Sequence, residues 1–131
     1  MSDPQPGAYR PYVAARSPGG RPDTKPVYRV LVHRRFVAVW NGLADQVGVT
    51  AARQFWTHAS STPGMPPAVG SSTVLRGKHH GPKWEGYSRT IHYEISGAGR
   101  IDYQYSNDTC EGDHGDPHQV VKILTIDLGS H

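Results

Sequence analysis

The sequence predicts an α+β fold of order β-α-α-β-β-β, a helical hairpin packed on one face of a mostly antiparallel four-stranded sheet. Three observations predict it. Apolar residues recur at helical spacing only between 36 and 59, and strand-like alternation fills 87–105. A nearly continuous apolar run, VVKILTIDL, occupies 120–128. Helices gathered in one stretch and strands in another are the pattern of two layers around one core.

Taken in order, residues 1–26 hold many of the 11 prolines and several glycines with almost no aliphatic pattern. Such a stretch buries too little apolar surface to offset its ordering entropy, and it reads as a flexible basic arm. The domain then spans 27–131. VYRVLVH at 27–33 is β-branched and aromatic, hence the first strand. Phe36, Val39, Trp40, Leu43 and Val47 mark one amphipathic helix, Gly48 its stop and Thr50 the N-cap of the next. Ala52, Phe55, Trp56 and Ala59 form the second apolar stripe, so these aromatics read as core and not as platforms for bases. TPGMPPAVGSS at 62–72 reads as loop. From 87 to 96 the odd positions are Tyr, Arg, Ile, Tyr, Ile and the even ones Ser, Thr, His, Glu, Ser, which marks a strand with one buried face. By that parity Arg89 belongs to the buried side and has a structural role. Gly97-Ala98-Gly99 reads as a three-residue turn, 100–105 as the returning strand and 107–118 as a polar loop.

A single cysteine, Cys110, allows no intrachain disulfide, and no apolar run reaches the ~20 residues of a membrane helix. With no secretory signature at the start, the expected location is cytoplasmic. The net charge of +3 is unevenly spread. Residues 1–35 carry seven Lys/Arg against two acids, and 73–100 five against two, whereas 101–131 carry six acids against Lys122. LRGKHHGPKW at 75–84 concentrates Arg76, Lys78, His79, His80 and Lys83 without a carboxylate. Such a basic half points to a polyanion, nucleic acid before membrane. Cys110, His114 and His118 lack the spacing of a structural zinc site, and no metal or other cofactor is expected.

The three-residue turn sets a register in which Ser96 faces Arg100, Glu94 faces Asp102 and His92 faces Gln104. His92 and Arg100 then share the polar face, His131 shares parity with Thr125 and Asp127, and the basic loop stands at the rim. Cleavage of RNA by its own 2′-hydroxyl needs a base, a cation for the phosphorane and an acid for the leaving 5′-oxygen. Histidine serves the first and last near neutral pH, and arginine the second.

Leu75-Arg76-Gly77, Trp84-x-Gly86-Tyr87, Gly99-Arg100-Ile101-x-Tyr103 and the ending Asp127-Leu128-Gly129-Ser130-His131, in that order, resemble the RelE/ParE superfamily of type II toxins. The likeness covers 27–131, and the closing histidine is most similar to the YafQ-like mRNA interferase branch. That resemblance implies a ribosome-dependent mRNA endonuclease, neutralised by a cognate antitoxin protein. His131 would be general acid, Arg100 the phosphate-stabilising cation, and His92, with His79 or His80 beside it, base or substrate contact. Arg76, Lys78, His79, His80 and Lys83 would bind RNA, with mRNA and ribosomal RNA as partners and no membrane. The competing readings are a ParE-like toxin that poisons DNA gyrase by binding, or a non-catalytic member. For the single residues they are a solvated basic loop, a cross-strand ion pair at Arg100 and a surface histidine at 92.

Overall fold

The computed structural model describes residues 11–22, 25–67, 71–96, 99–109 and 118–128. Its architecture is α+β, with three helices and one mixed six-stranded sheet. The strands are β1 (Tyr12–Ala14), β2 (Arg29–His33), β3 (Ser71–Val74), β4 (Ile91–Glu94), β5 (Arg100–Thr109) and β6 (His118–Asp127). They lie in the order β1-β2-β6-β5-β4-β3. Only β2 and β6 run parallel, and every other pair is antiparallel.

The sheet therefore has two strands more than the four expected. β1 comes from the segment predicted to be a flexible arm. It is edge-paired to β2, and the chain after it is tied to the helical layer. Trp40 Nε1 donates to Arg16 O at 2.8 Å, and Arg53 donates to Pro18 O at 2.8 Å and Arg21 O at 3.0 Å. β3 comes from the end of the predicted loop; Ser-Ser-Thr-Val is an exposed edge with no core-facing stripe to betray it.

The predicted helix 36–47 is two helices, α1 (Val37–Asn41) and α2 (Leu43–Val47), parted at Gly42, where backbone at φ −97°, ψ 7° leaves the helical region. Gly48, at φ +94°, separates α2 from α3 (Val49–Ser61) and caps it in place of Thr50. That conformation is one that only glycine adopts without strain. α3 buries Ala52, Phe55, Trp56 and Ala59 against Trp40, Leu43 and the sheet residues Val30, Val32, Ile91, Tyr93, Ile101, Tyr103, Val121 and Ile123.

Two local features set which side chains meet on the opposite face. The β4–β5 register pairs Glu94 with Arg100, His92 with Asp102 and Ile91 with Tyr103. It is offset by two residues from the register a three-residue turn implies, because the connection runs from Ile95 to Gly99, closed by Ile95 N–H to Gly99 O at 3.0 Å. On β6, one extra residue between the partners of Asp102 and Tyr103 makes a bulge at Leu124. Ile126 thereby returns to the helix-side core, while Thr125 and Asp127 join the face of Asp102 and Arg100.

That second face is not open throughout. Tyr12, Leu31, Val120 and Leu124 form a smaller core there, with Trp84 packed on it. Lys122, only 2 % exposed, holds its ammonium 4.0 Å from the ring centre of Trp84, 5.0 Å from Tyr87 and 5.4 Å from Tyr12. The negative ring faces offset part of the cost of burying that charge.

Candidate nucleic-acid interface

The loop 75–90 leaves β3 and returns into β4, and its path decides what the basic residues can reach. Leu75 N–H still pairs with Thr90 O at 2.9 Å, extending the β3–β4 ladder by one bond. Gly77 then takes φ +97°, ψ 161°, a region essentially restricted to glycine, and a 3-10 turn follows over Lys78–His80. His80 donates its N–H to Gly77 O at 3.2 Å and accepts from Thr90 N–H at 2.9 Å.

Two side chains hold this loop. Arg89 donates from Nε to Leu75 O at 3.0 Å and from Nη2 to Gly77 O. Gln104, fully buried on β5, accepts from Lys83 N–H at 2.9 Å. Its amide nitrogen donates to Gly81 O at 2.9 Å and to Thr90 Oγ1 at 3.1 Å. Three of the four bonds an amide can form are thus made, all of them to the loop or its return. The structural role expected of Arg89 is met through backbone carbonyls, on a half-buried and not a core-facing side chain.

Beside Gln104 on the same face, about 7 Å further along β5, stands Asp102. Its Oδ1 lies 2.6 Å from His92 Nδ1, with the two side chains 25 % and 21 % exposed. The pair is reachable from solvent. With Nδ1 engaged by the carboxylate, the imidazole is held by one nitrogen, and Nε2 is the one left for chemistry. Arg100 follows one step along, exposed, with Glu94 opposite it on β4 and Asp127 opposite it on β6. Ser71 Oγ donates to Glu94 Oε2 at 3.2 Å. The patch consequently combines His92 and Arg100 with three carboxylates, and the surplus positive charge lies in the neighbouring loop.

The basic residues do not ring one hollow, as their sequence position suggests; they divide. Gly81 to Lys83 are drawn over the polar face by Gln104, next to the His92–Asp102 pair. Arg76 and Lys78, both exposed, line a groove of about 550 Å³ together with Val74, Gly77 and Arg89. Val74 is paired with Ile91, a helix-side core residue, so the groove opens at the β3 edge on that side of the sheet. His79 is exposed on the 3-10 turn between the two. His131, the expected acid, lies outside the described residues, as do Cys110 and His114.

Comparison with protein-family models, with curated proteins and with solved structures found no match to this chain. Among the described residues no group of three or more His, Cys, Asp or Glu is placed to hold a metal ion, and no helix is long and apolar enough to cross a membrane.

Sequence reasoning missed three contributors. A three-residue turn sets Asp102 against Glu94, and only the two-residue offset brings it to His92. Gln104 sits at an even, polar-face position, where nothing in the sequence tells a buried clamp from a solvated amide. Lys122 interrupts an apolar run, the one hint that its stem and head are enclosed.

Proposed function

We propose that this protein is the toxin component of a type II toxin–antitoxin module, an endoribonuclease that cleaves ribosome-bound mRNA by attack of the 2′-hydroxyl on the adjacent phosphate. The observation that carries the reading is the His92–Asp102 pair at 2.6 Å, with Arg100 on the same face and a basic loop beside it. Asp102 engages Nδ1 and so orients the ring, and Nε2 takes the 2′ proton. Arg100 meets the negative charge that builds on the phosphorane oxygens. The resemblance of the ending to the YafQ-like branch supplies His131 as the acid for the 5′-oxygen. The chemistry needs no metal at any of these steps. The loop residues Arg76, Lys78, His79, His80 and Lys83 bind flanking phosphates. The antitoxin is the protein partner and the cytoplasm the place of action.

Induced expression is expected to arrest growth and to leave mRNA fragments with 5′-hydroxyl ends. His92→Gln is expected to lower the cleavage rate by about 10²-fold or more, the usual contribution of a positioned general base. Growth arrest with transcripts left intact, or undiminished cleavage by the variant, would overturn the assignment.

A further inference from the structure

Arg76, Lys78 and Arg89 surround the β3-edge groove, and among the described residues no carboxylate lines it. Arg89 is not a loose surface cation. Two of its nitrogens are spent on Leu75 O and Gly77 O, which fixes the plane of the guanidinium where it lines the groove. A cation held in place by the fold loses little rotamer entropy when an anion arrives. The backbone at Gly77, in its glycine-only conformation, forms part of the wall without a side chain.

The position of the groove narrows what it can hold. Val74 lines it, and the preceding residue, Thr73, is paired across the strands with His92. A single edge strand, about 5 Å of sheet, therefore separates the groove from the catalytic pair, and the two open on opposite sides of that strand. A ligand touching both must turn round the edge. A duplex resists bending over such a distance, since its persistence length is about 150 bp, whereas a single strand turns freely.

We propose that the groove of Val74, Arg76, Gly77, Lys78 and Arg89 is a phosphate subsite for a single RNA strand that passes round the β3 edge to His92 and Asp102. The proposal rests on the nuclease reading above and names the form of its substrate. The groove takes a backbone phosphodiester that is not the one cleaved. It thereby selects for unpaired strands and sets the register of the scissile bond.

The test uses the full chain and a fluorescein-labelled eight-nucleotide RNA carrying 2′-O-methyl groups, which cannot be cleaved, with anisotropy read across a salt series. Arg76→Ala/Lys78→Ala removes two exposed side chains, and circular dichroism checks the fold. The double variant is expected to bind roughly tenfold more weakly at low salt. Its log–log salt slope should be shallower by about 1.4, or 0.7 for each lost single-strand phosphate contact. The same sequence as a duplex is expected to bind distinctly more weakly than the single strand. Unchanged affinity and slope in the variant, or a duplex bound as tightly as the single strand, overturns the proposal. Full displacement of the strand by millimolar inorganic phosphate would also overturn it, making the groove a site for a free anion. Wild-type protein that binds in this way but leaves mRNA on the ribosome uncut would refute the nuclease reading and leave the groove's role standing.

Discussion

The two faces of the sheet are closed by different means. On one, α1 to α3 lay whole aromatic and aliphatic side chains across Val30, Ile101, Tyr103 and Ile123, and Phe55 and Leu43 lose all contact with water. On the other, the covering is a loop, held by single hydrogen bonds from Gln104 and packed around a caged lysine. The first face draws its strength from buried area, which is large and non-directional. The second relies on directional contacts to a few atoms, so it can be opened locally without losing the fold. Binding surfaces belong to the second kind, because the elements that meet a ligand come from the less stable parts of a molecule.

Removing one side chain from the first face should give the largest effect. Phe55 is fully buried, with ring centres 4.9 Å from Tyr93 and 6.0 Å from both Trp40 and Tyr103. Phe55→Ala deletes a ring that joins helix to sheet and is expected to cost about 3–5 kcal/mol, a large share of the stability of a chain this size. Urea denaturation should show the midpoint fall for the whole molecule in one transition. A drop confined to one local probe would mean that the helical layer is not the common core.

On the second face the expected loss is smaller and different in kind. Gln104→Leu keeps the volume nearly constant but strands Lys83 N–H and Gly81 O, for a cost of about 1–3 kcal/mol where those groups stay buried. Hydrogen exchange should speed up through 77–90 while the amides of β6 keep their protection. If protection fell equally in β6, the two faces would be one cooperative unit, and the contrast drawn here would fail.

The same contrast explains how much was legible in the sequence. Elements that pack by buried area announce themselves through period, and so β2, α3 and β6 could be read directly, whereas of the strand expected over 87–96 only Ile91–Glu94 is formed and Tyr87 packs on the other face against Trp84. β1 and β3 could not, because an edge strand of three or four residues is paired on one side only and carries little or no core-facing stripe. The break at Gly42 shows the limit of period alone: Phe36 to Val47 keep one apolar face through two helices. For the candidate site, placing His92 and Arg100 on one face required only alternation, whereas joining His92 to Asp102 required the length of the β4–β5 connection. The division of the basic loop depended on Arg89 and Gln104, whose partners are backbone atoms of the loop, and no residue pattern encodes those.

The smallest expected effect probes a polar group lodged within the first face. His58 on α3 is buried against Tyr93, and its Nε2 lies 3.4 Å from the Tyr103 hydroxyl. That hydroxyl donates to Pro63 O at 2.6 Å and is itself held protonated by burial. Thr62 Oγ1 stands 3.4 Å from His58 Nδ1. Burial disfavours the imidazolium, so the folded-state pKa of His58 lies below the ordinary value of about 6.5. Above that value both folded and unfolded chains hold the ring neutral, and the full stability is present. As the pH falls through about 6.5 the unfolded chain takes up the proton first, and stability declines until the lower folded-state pKa is passed. His58→Gln keeps a polar group at the position and removes the titration. Every group that the two proteins share contributes alike to both, so it cancels in the difference between the two stability curves. Urea unfolding of wild type and variant from about pH 8 to pH 5 should therefore converge or cross as the pH falls, the wild type losing more. Parallel curves would mean that His58 accepts its proton as easily inside the fold as outside, and that the helix-bearing face is wetter at that point than its packing implies.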